Sequence, residues 1–170
     1  HGYGAGLVYS DDEGATWHQA AGGTLAEYVT RDIVIFENDV RGAEGSRNVL
    51  FATDHGIFLS TDYGDTVTER DKQSDISYTV TVDPRNEEHW ICGYDDELYE
   101  SYDMGQSWTF LNYFGGEAPS RSIWVSSIKY GYGDTPRLYV CYGPMHYPVR
   151  YSDNDGKIFT APSKAADSTE

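Results

Sequence analysis

Ser101-Tyr102-Asp103-Met104-Gly105-Gln106-Ser107-Trp108 decides how the whole chain is read, because its pattern occurs four times. The other copies are Ser10-Asp11-Asp12-Glu13-Gly14-Ala15-Thr16-Trp17, Ser60-Thr61-Asp62-Tyr63-Gly64-Asp65-Thr66-Val67 and Ser152-Asp153-Asn154-Asp155-Gly156-Lys157-Ile158-Phe159. Each has Ser, an Asp two residues on (Asn154 in the last), Gly at four and a large apolar side chain at seven. A motif recurring every 40–50 residues or so marks an array of one supersecondary unit. The residue types suit a hairpin turn. The Asp carboxylate accepts main-chain N–H groups further round its own turn, and Gly supplies the positive φ that a Cβ opposes. Ser and Thr hydroxyls add local hydrogen bonds, and the last apolar side chain is expected to bury itself where the chain re-enters a sheet. Short apolar runs precede each Ser: Leu7-Val8-Tyr9, Ile57-Phe58-Leu59, Leu98-Tyr99 and Val149-Arg150-Tyr151.

This pattern resembles the Asp-box family, also called bacterial neuraminidase repeats, whose consensus is Ser-x-Asp-x-Gly-x-Thr-Trp. The third repeat adds Val82-Asp83-Pro84-Arg85-Asn86, Trp90-Ile91-Cys92-Gly93 and Leu98-Tyr99-Glu100-Ser101. In that order it resembles the propellers of xyloglucan-cleaving endoglucanases, sorting receptors and photosystem assembly factors more than the sialidases. The resemblance covers nearly the whole chain. It implies an all-β fold of β-propeller blades, each a four-stranded antiparallel meander lettered A to D from the inside out, with the boxes at the C–D turns. It implies little about function, because such propellers do many jobs.

Laid onto blades, the second repeat reads A at 30–37, B at 48–53, C at 57–60 and D at 66–70. The third reads A at 78–82, B at 89–93, C at 98–101 and D at 107–111. The fourth reads A at 122–129, B at 137–142, C at 149–152 and a D strand starting near Lys157. Too few residues precede Leu7 for inner strands, so the first repeat keeps only C and D. The blades then span 1–26, 27–73, 74–116 and 117–162, and the polar stretch 163–170 reads as a tail or linker. About three and a half blades do not close the ring that such families build from roughly six or more. The chain is therefore expected to be part of a longer protein, or to need a second copy or another subunit to cover its open blade faces.

Composition narrows the partners. Lys plus Arg total 12 against 28 for Asp plus Glu, a net charge of −16. That charge repels nucleic acid and anionic membranes alike, and no apolar run is long enough to insert in a bilayer. Fifteen Tyr and 18 Gly with two Met favour strands and tight turns over long helices. Neither Asp11-Asp12-Glu13 nor Asp153-Asn154-Asp155 belongs to a twelve-residue calcium loop, and the five His lack zinc-site spacing. No metal and no cofactor is expected. Cys92 and Cys141 are read as equivalent B-strand positions near the level of Ala52, too far apart across neighbouring blades for a disulfide. By resemblance, an acidic, Tyr-rich and Lys-poor surface suits a secreted or cell-surface protein.

Strand alternation puts the B–C loops and D-to-A links on the side opposite the boxes, where propeller enzymes of the resembling kind place their sites. Candidates there include Arg31, Asp32, Asp54, His55, Asp75, Tyr94, Asp95, Arg121, Met145, His146 and Tyr147. A glycosidase needs two carboxylates astride the scissile bond, one of them protonated, and Asp32, Asp75 and Asp95 are the candidates. The competing reading makes them solvated turn acids. A sialidase needs three Arg around the substrate carboxylate. Arg31 and Arg121 sit at comparable strand entrances, but Asp32-Ile33 and Ser122-Ile123 replace the Arg-Ile-Pro signature, so sialidase chemistry is not supported. Sugar binding asks less: Tyr94, Trp124, His146 and Tyr147 can stack on pyranose faces, with Arg31 and Arg121 as polar partners. The same aromatics can instead pack between blades or anchor a protein. The leading expectation is carbohydrate recognition within a polysaccharide-directed protein, with or without glycoside hydrolase activity. The alternative is a protein-binding scaffold of the assembly-factor or sorting-receptor type. The structural box residues are Ser10, Asp12, Gly14, Trp17, Ser60, Asp62, Gly64, Ser101, Asp103, Gly105, Trp108, Ser152, Asn154 and Gly156.

Overall fold

The computed structural model describes residues 7–37, 47–71, 77–114, 124–142 and 149–161. Among them the chain forms four consecutive antiparallel sheets and no α-helix. The first sheet pairs β1 (Val8–Tyr9) with β2 (His18–Gln19), and a 3-10 turn (Ala20–Gly23) follows. The second runs β3 (Thr30–Glu37), β4 (Arg47–Thr53), β5 (Gly56–Ser60) and β6 (Thr68–Glu69). The third runs β7 (Ser77–Asp83), β8 (Asn86–Tyr94), β9 (Glu97–Ser101) and β10 (Thr109–Tyr113). The fourth runs β11 (Val125–Tyr130), β12 (Leu138–Tyr142) and β13 (Val149–Ser152), with a single Tyr151–Thr160 bridge beyond it. Spatial order follows sequence order in every sheet. The fold is an all-β array of propeller blades.

Period-two alternation makes the second and third sheets apolar on both sides, and the three cores are the three sheet–sheet interfaces. Leu50, Ala52, Ile57 and Leu59 of the second sheet meet Val80, Trp90 and Cys92 of the third. From the other side of the third sheet, Ile91 and Leu98 meet Val125, Ile128, Leu138 and Val140 of the fourth. Phe51 and Phe58 turn back toward Leu25 and Leu7 of the first repeat. Polar ties cross the same interfaces at the box side. Arg85 donates to Asp83 at 2.6 Å and also to Asp155 of the fourth sheet, while the Asn112 amide donates to the Gly156 carbonyl at 2.7 Å.

The four Ser-x-Asp/Asn-x-Gly turns share one hydrogen-bond scheme. The Ser hydroxyl donates to the acid or amide oxygen at 2.8 Å in every copy, and accepts the Gly N–H at 2.7–2.9 Å. Asp12, Asp62 and Asp103 accept the N–H and the hydroxyl of Thr16, Thr66 and Ser107. At the corresponding place Asn154 accepts the Ile158 N–H, at 2.9 Å, and Ile158 has no hydroxyl to add. The fourth copy has Asn and Ile where the others have Asp and a Thr or Ser hydroxyl. Two successive positive φ angles close each turn, as at Met104 (57°) and Gly105 (77°), the geometry of a tight hairpin.

Burial opposes the charge on Asp62 and Asp103, yet the hydroxyl and main-chain donors outweigh it and hold both carboxyls below their ordinary value. For Asp12 the Thr16 hydroxyl leads the same downward shift. A depressed folded pKa contributes stability that is complete above the unfolded value, about 3.9, and is lost as pH falls through the folded value. Asp103→Ala should cost about 1–2 kcal/mol at neutral pH by orphaning turn donors, and the difference from the parent should shrink on acidification below about pH 4. Urea titrations between acid and neutral pH measure both; a pH-independent difference would exclude the carboxylate's role.

Three expectations need correction. Trp17 is not buried but 63% exposed. In later copies the box packs on the preceding sheet: the Trp108 indole donates to the Arg70 carbonyl at 3.0 Å, and Gly156 lies against Leu111. Among the described residues no sheet precedes the first. The outer strands also start later than expected, at Thr68 and Thr109, because Thr66 and Ser107 remain bonded into the turns. Finally, Cys92 and Cys141 are one residue out of register. Leu138 pairs with Ser152 as Trp90 pairs with Ser101, so Cys141 matches Gly93 and Ala52, whereas Cys92 matches Phe51 and Val140. The two thiols lie on opposite faces of their sheets, and both are free.

Candidate functional site

Strands β3, β7 and β11 are the inner strands, and each carries an irregularity one residue from its start. Thr30 pairs with Thr53 but Asp32 with Ala52, leaving Arg31 as the extra residue. The same shift falls at Tyr78 in β7 and at Ser126 in β11. A bulge re-aims the side chain it carries and locally ends regular pairing. Three bulges at one level therefore open the mouth that the inner strands share, on the side away from the boxes.

The strand entrance at Arg31 is clamped by the β4–β5 turn. Asp54 takes the Val29 N–H on its carboxylate at 2.8 Å and returns its own N–H to the Val29 carbonyl at 3.1 Å. The turn itself is closed by the Thr53 hydroxyl, which donates to the Gly56 carbonyl and accepts the His55 N–H. The His55 ring lies on Tyr28 at 4.4 Å and meets Asp54 through Nδ1 at 2.9 Å. Desolvation works against the charge on Asp54, but His55, the Val29 N–H and nearby Arg31 hold its carboxyl below the ordinary range. Across the mouth, the Asp95 carbonyl accepts the Val125 N–H, which fixes the residue next to Trp124.

Between these two anchor points lies a shallow cleft of about 530 Å³, lined among the described residues by Val29, Thr30, Arg31, Trp124 and Ser126. Its lining residues carry an indole, a guanidinium and two hydroxyls, of which the Ser126 hydroxyl donates to the Cys141 carbonyl. Such a surface can stack on a ring and hydrogen-bond its substituents. No carboxylate is in its described lining.

Arg31 and Trp124 are thus brought together. Asp32 is one residue further in, but both its oxygens are engaged. Thr79 Oγ1 donates at 2.6 Å, the Val80 N–H at 3.1 Å, and Lys129 Nζ at 2.8 and 3.0 Å. A carboxylate so surrounded by donors on β7 and β11 is a latch between inner strands. Asp95 is exposed at a turn with φ of 42° and acts on the cleft through its carbonyl. Tyr94 turns away from the mouth: its hydroxyl donates to the buried Asp71 of the second sheet, and its ring meets Tyr99 edge-on. Asp75, Arg121, His146 and Tyr147 lie outside the described residues. The bulges and the Lys129 partner of Asp32 escaped the sequence reading. A lone acid inside the run Arg31-Asp32-Ile33-Val34-Ile35-Phe36 was the available signal for the latch.

No family model matches the chain, and no curated protein matches it. Among solved structures it is similar to an ancestral GH74 enzyme, with 13% identity, a TM-score of 0.69 and coverage of 95% of this chain and 22% of that one. The GH74 enzyme of Niastella koreensis gives 17%, 0.67, 95% and 27% in the same order. The GH74 xyloglucanase of Xanthomonas campestris gives 15%, 0.69, 95% and 27%. The chain spans about a quarter of the length of these structures. At such identities the likeness shows the fold, that of β-propeller blades.

Proposed function

We propose that the cleft at the mouth of the inner strands binds a carbohydrate, and that the chain contributes to recognition of a polysaccharide. The observation that carries this reading is the meeting of Arg31 and Trp124, from the second and fourth repeats, in one open cleft with Thr30 and Ser126. A pyranose presents an apolar face to an indole and hydroxyls to guanidinium and hydroxyl groups, and a shallow cleft admits one face of an extended polymer. The glycoside hydrolase setting of the GH74 structures agrees with that ligand class. Binding is as far as the described lining goes, since catalysis by paired carboxylates needs two acids astride the bond.

Titration with xyloglucan oligosaccharides, mixed-linkage glucan and xylan, followed by calorimetry and indole fluorescence, tests the reading. At least one glycan should bind. Trp124→Ala should weaken it about tenfold or more, the equivalent of losing about 1.4 kcal/mol of stacking, and Arg31→Ala should weaken it by a smaller factor. Affinity unchanged in Trp124→Ala would refute the site. Failure of every glycan, together with saturable capture of one protein that Trp124→Ala abolishes, would favour the scaffold reading.

A further inference from the structure

The interface between the third and fourth sheets repeats the one between the second and third, and departs from it at one level of its outer rim. The box serines set the register. Trp90 pairs with Ser101 and Leu138 with Ser152, so Tyr142 holds the place of Tyr94 and Arg150 that of Tyr99. Lys157 follows its Ser by five residues, as Gln106 does. In the earlier copy the Tyr94 hydroxyl donates to Asp71, a buried acid just past the outer strand of the preceding sheet. In the later copy the residue just past that strand is Phe114, which stacks on Tyr142 at 4.6 Å. The same level of the fold thus exchanges an internal acid for a phenyl ring and gains two cations.

These changes line a shallow cleft of about 360 Å³, walled by Phe114, Tyr142, Ile158 and Phe159 and carrying Arg150 and Lys157. The polar groups left to a ligand are donors. Arg150 gives its Nε–H to the Tyr142 oxygen at 2.5 Å, which leaves the terminal guanidinium N–H groups and the Tyr142 proton. Asn112 is spent: its NH2 donates to the Gly156 and Lys157 carbonyls, and its oxygen accepts the Tyr113 N–H. Arg85, Lys129 and Arg137 each meet a carboxylate. Among the described residues Arg150 and Lys157 meet none, in a chain with 28 acids against 12 bases.

We propose that this cleft binds a single uronate, the carboxylate-bearing pyranose that decorates an otherwise neutral polysaccharide. The ligand carboxylate takes the part that Asp71 plays in the earlier copy. It accepts the Tyr142 hydroxyl and pairs with the planar guanidinium fork of Arg150, with the Lys157 ammonium at the rim. The apolar face of the pyranose lies on Phe159 and Ile158. Charge sets the number of uronates: a net charge of −16 repels a run of them, whereas one carboxylate needs the cations only within a Debye length, roughly 8–10 Å. An acidic peptide docked as an added strand fits less well. The Phe114 N–H turns inward to the Asp96 carbonyl, so alternation turns the Tyr113 N–H outward. There the Asn112 side chain already holds it, at 2.8 Å. The site lies on the outer strands, apart from the cleft at Arg31 and Trp124, and does not rest on the reading of that cleft.

The test titrates the 170-residue chain with glucuronosyl-xylotriose and, as the neutral match, xylotriose, following the Ile158 and Phe159 amide signals by NMR. The uronate should bind one to one, shift those signals, and weaken about threefold or more between about 20 and 500 mM salt. Xylotriose should shift them about tenfold more weakly or not at all. Arg150→Gln should weaken uronate binding about tenfold or more. Lys157→Glu, at an exposed position where folding is indifferent to the change, should weaken it about fivefold or more. Equal affinity for xylotriose, unmoved Ile158 and Phe159 signals, or full affinity in Lys157→Glu would overturn the proposal. Tighter binding of the blocked peptide acetyl-Ala-Glu-Ala-amide would also overturn it, making an acidic side chain the occupant. Loss of uronate binding in Trp124→Ala rather than in Arg150→Gln would place the sugar in the inner cleft and overturn this site alone.

Discussion

Asp32→Ala is expected to lower the stability of the chain by about 3 kcal/mol and its thermal midpoint by roughly 10 °C. Asp32 ties three repeats together at their inner strands. It sits in β3 and receives the Thr79 hydroxyl and Val80 N–H from β7 and the Lys129 ammonium from β11. The carboxylate is largely covered, whereas Lys129 remains about half exposed. Those exposures set the order of effects. Removing the acid orphans a main-chain N–H and a hydroxyl near the core and leaves a cation beside the Val80 carbonyl. Removing only the cation, in Lys129→Met, deletes a solvent-screened partner and should cost about 1 kcal/mol or less. Thr79→Val should fall between, because Thr79 also accepts the Ile128 N–H at 3.1 Å. Asn at position 32 keeps one acceptor but turns an amide N–H toward Lys129, so it should rescue only part of the loss. Urea unfolding of the four variants reads the series. An Asp32→Ala protein as stable as the parent would remove the latch and return Asp32 to the list of candidate site acids.

The fold was legible because the signal was local and repeated. Ser, Asp and Gly at fixed spacing define a turn whose bonds close within eight residues, and β3, β9 and β13 followed from alternation beside it. Outer strands were harder to bound, since the Thr66 and Ser107 hydroxyls serve the turn and the sheet begins only after them. The site was half legible. Placing Arg31 and Trp124 on one side required only strand direction, which the pattern supplies. Deciding that Asp32 is a latch required knowing that β3, β7 and β11 stand side by side, a contact over 47 and 97 residues of sequence separation. Bulges are likewise invisible in composition: Arg31, Tyr78 and Ser126 share a structural level and no chemistry. The cysteine register slipped for a related reason. The B-to-C connection of the fourth repeat is longer than that of the third, so counting from a strand centre misses the one-residue offset that puts Cys141 on the other face.

Gly105→Ala should destabilise the chain by about 3 kcal/mol, while the same change at Gly14 should cost about 1 kcal/mol. The two glycines hold the same place in the same turn, with φ of 77° and 89°, so the backbone penalty for adding a Cβ is shared. Their surroundings differ. A Cβ on Gly105 would sit 2.7 Å from Cζ3 of Trp90 and 3.0 Å from Cβ of Arg70. Trp90 is fully buried and the Arg70 atom is next to main chain, so neither can give way cheaply. A Cβ on Gly14 meets nothing closer than Cζ2 of Trp17 at 3.8 Å. Gly105 is thus a contact between sheets as well as a turn residue, and the difference between the substitutions measures that contact alone. Gly156, whose Cβ would meet Leu111 at 2.9 Å, has a leucine methyl that can rotate, and Gly156→Ala should lie between the two. Equal losses at Gly14 and Gly105 would mean that the boxes act only within their own turns. A graded loss would mean that each box also seats its sheet on the one before it, which leaves the first box, with Trp17 in solvent, as the place where that seating is unmet.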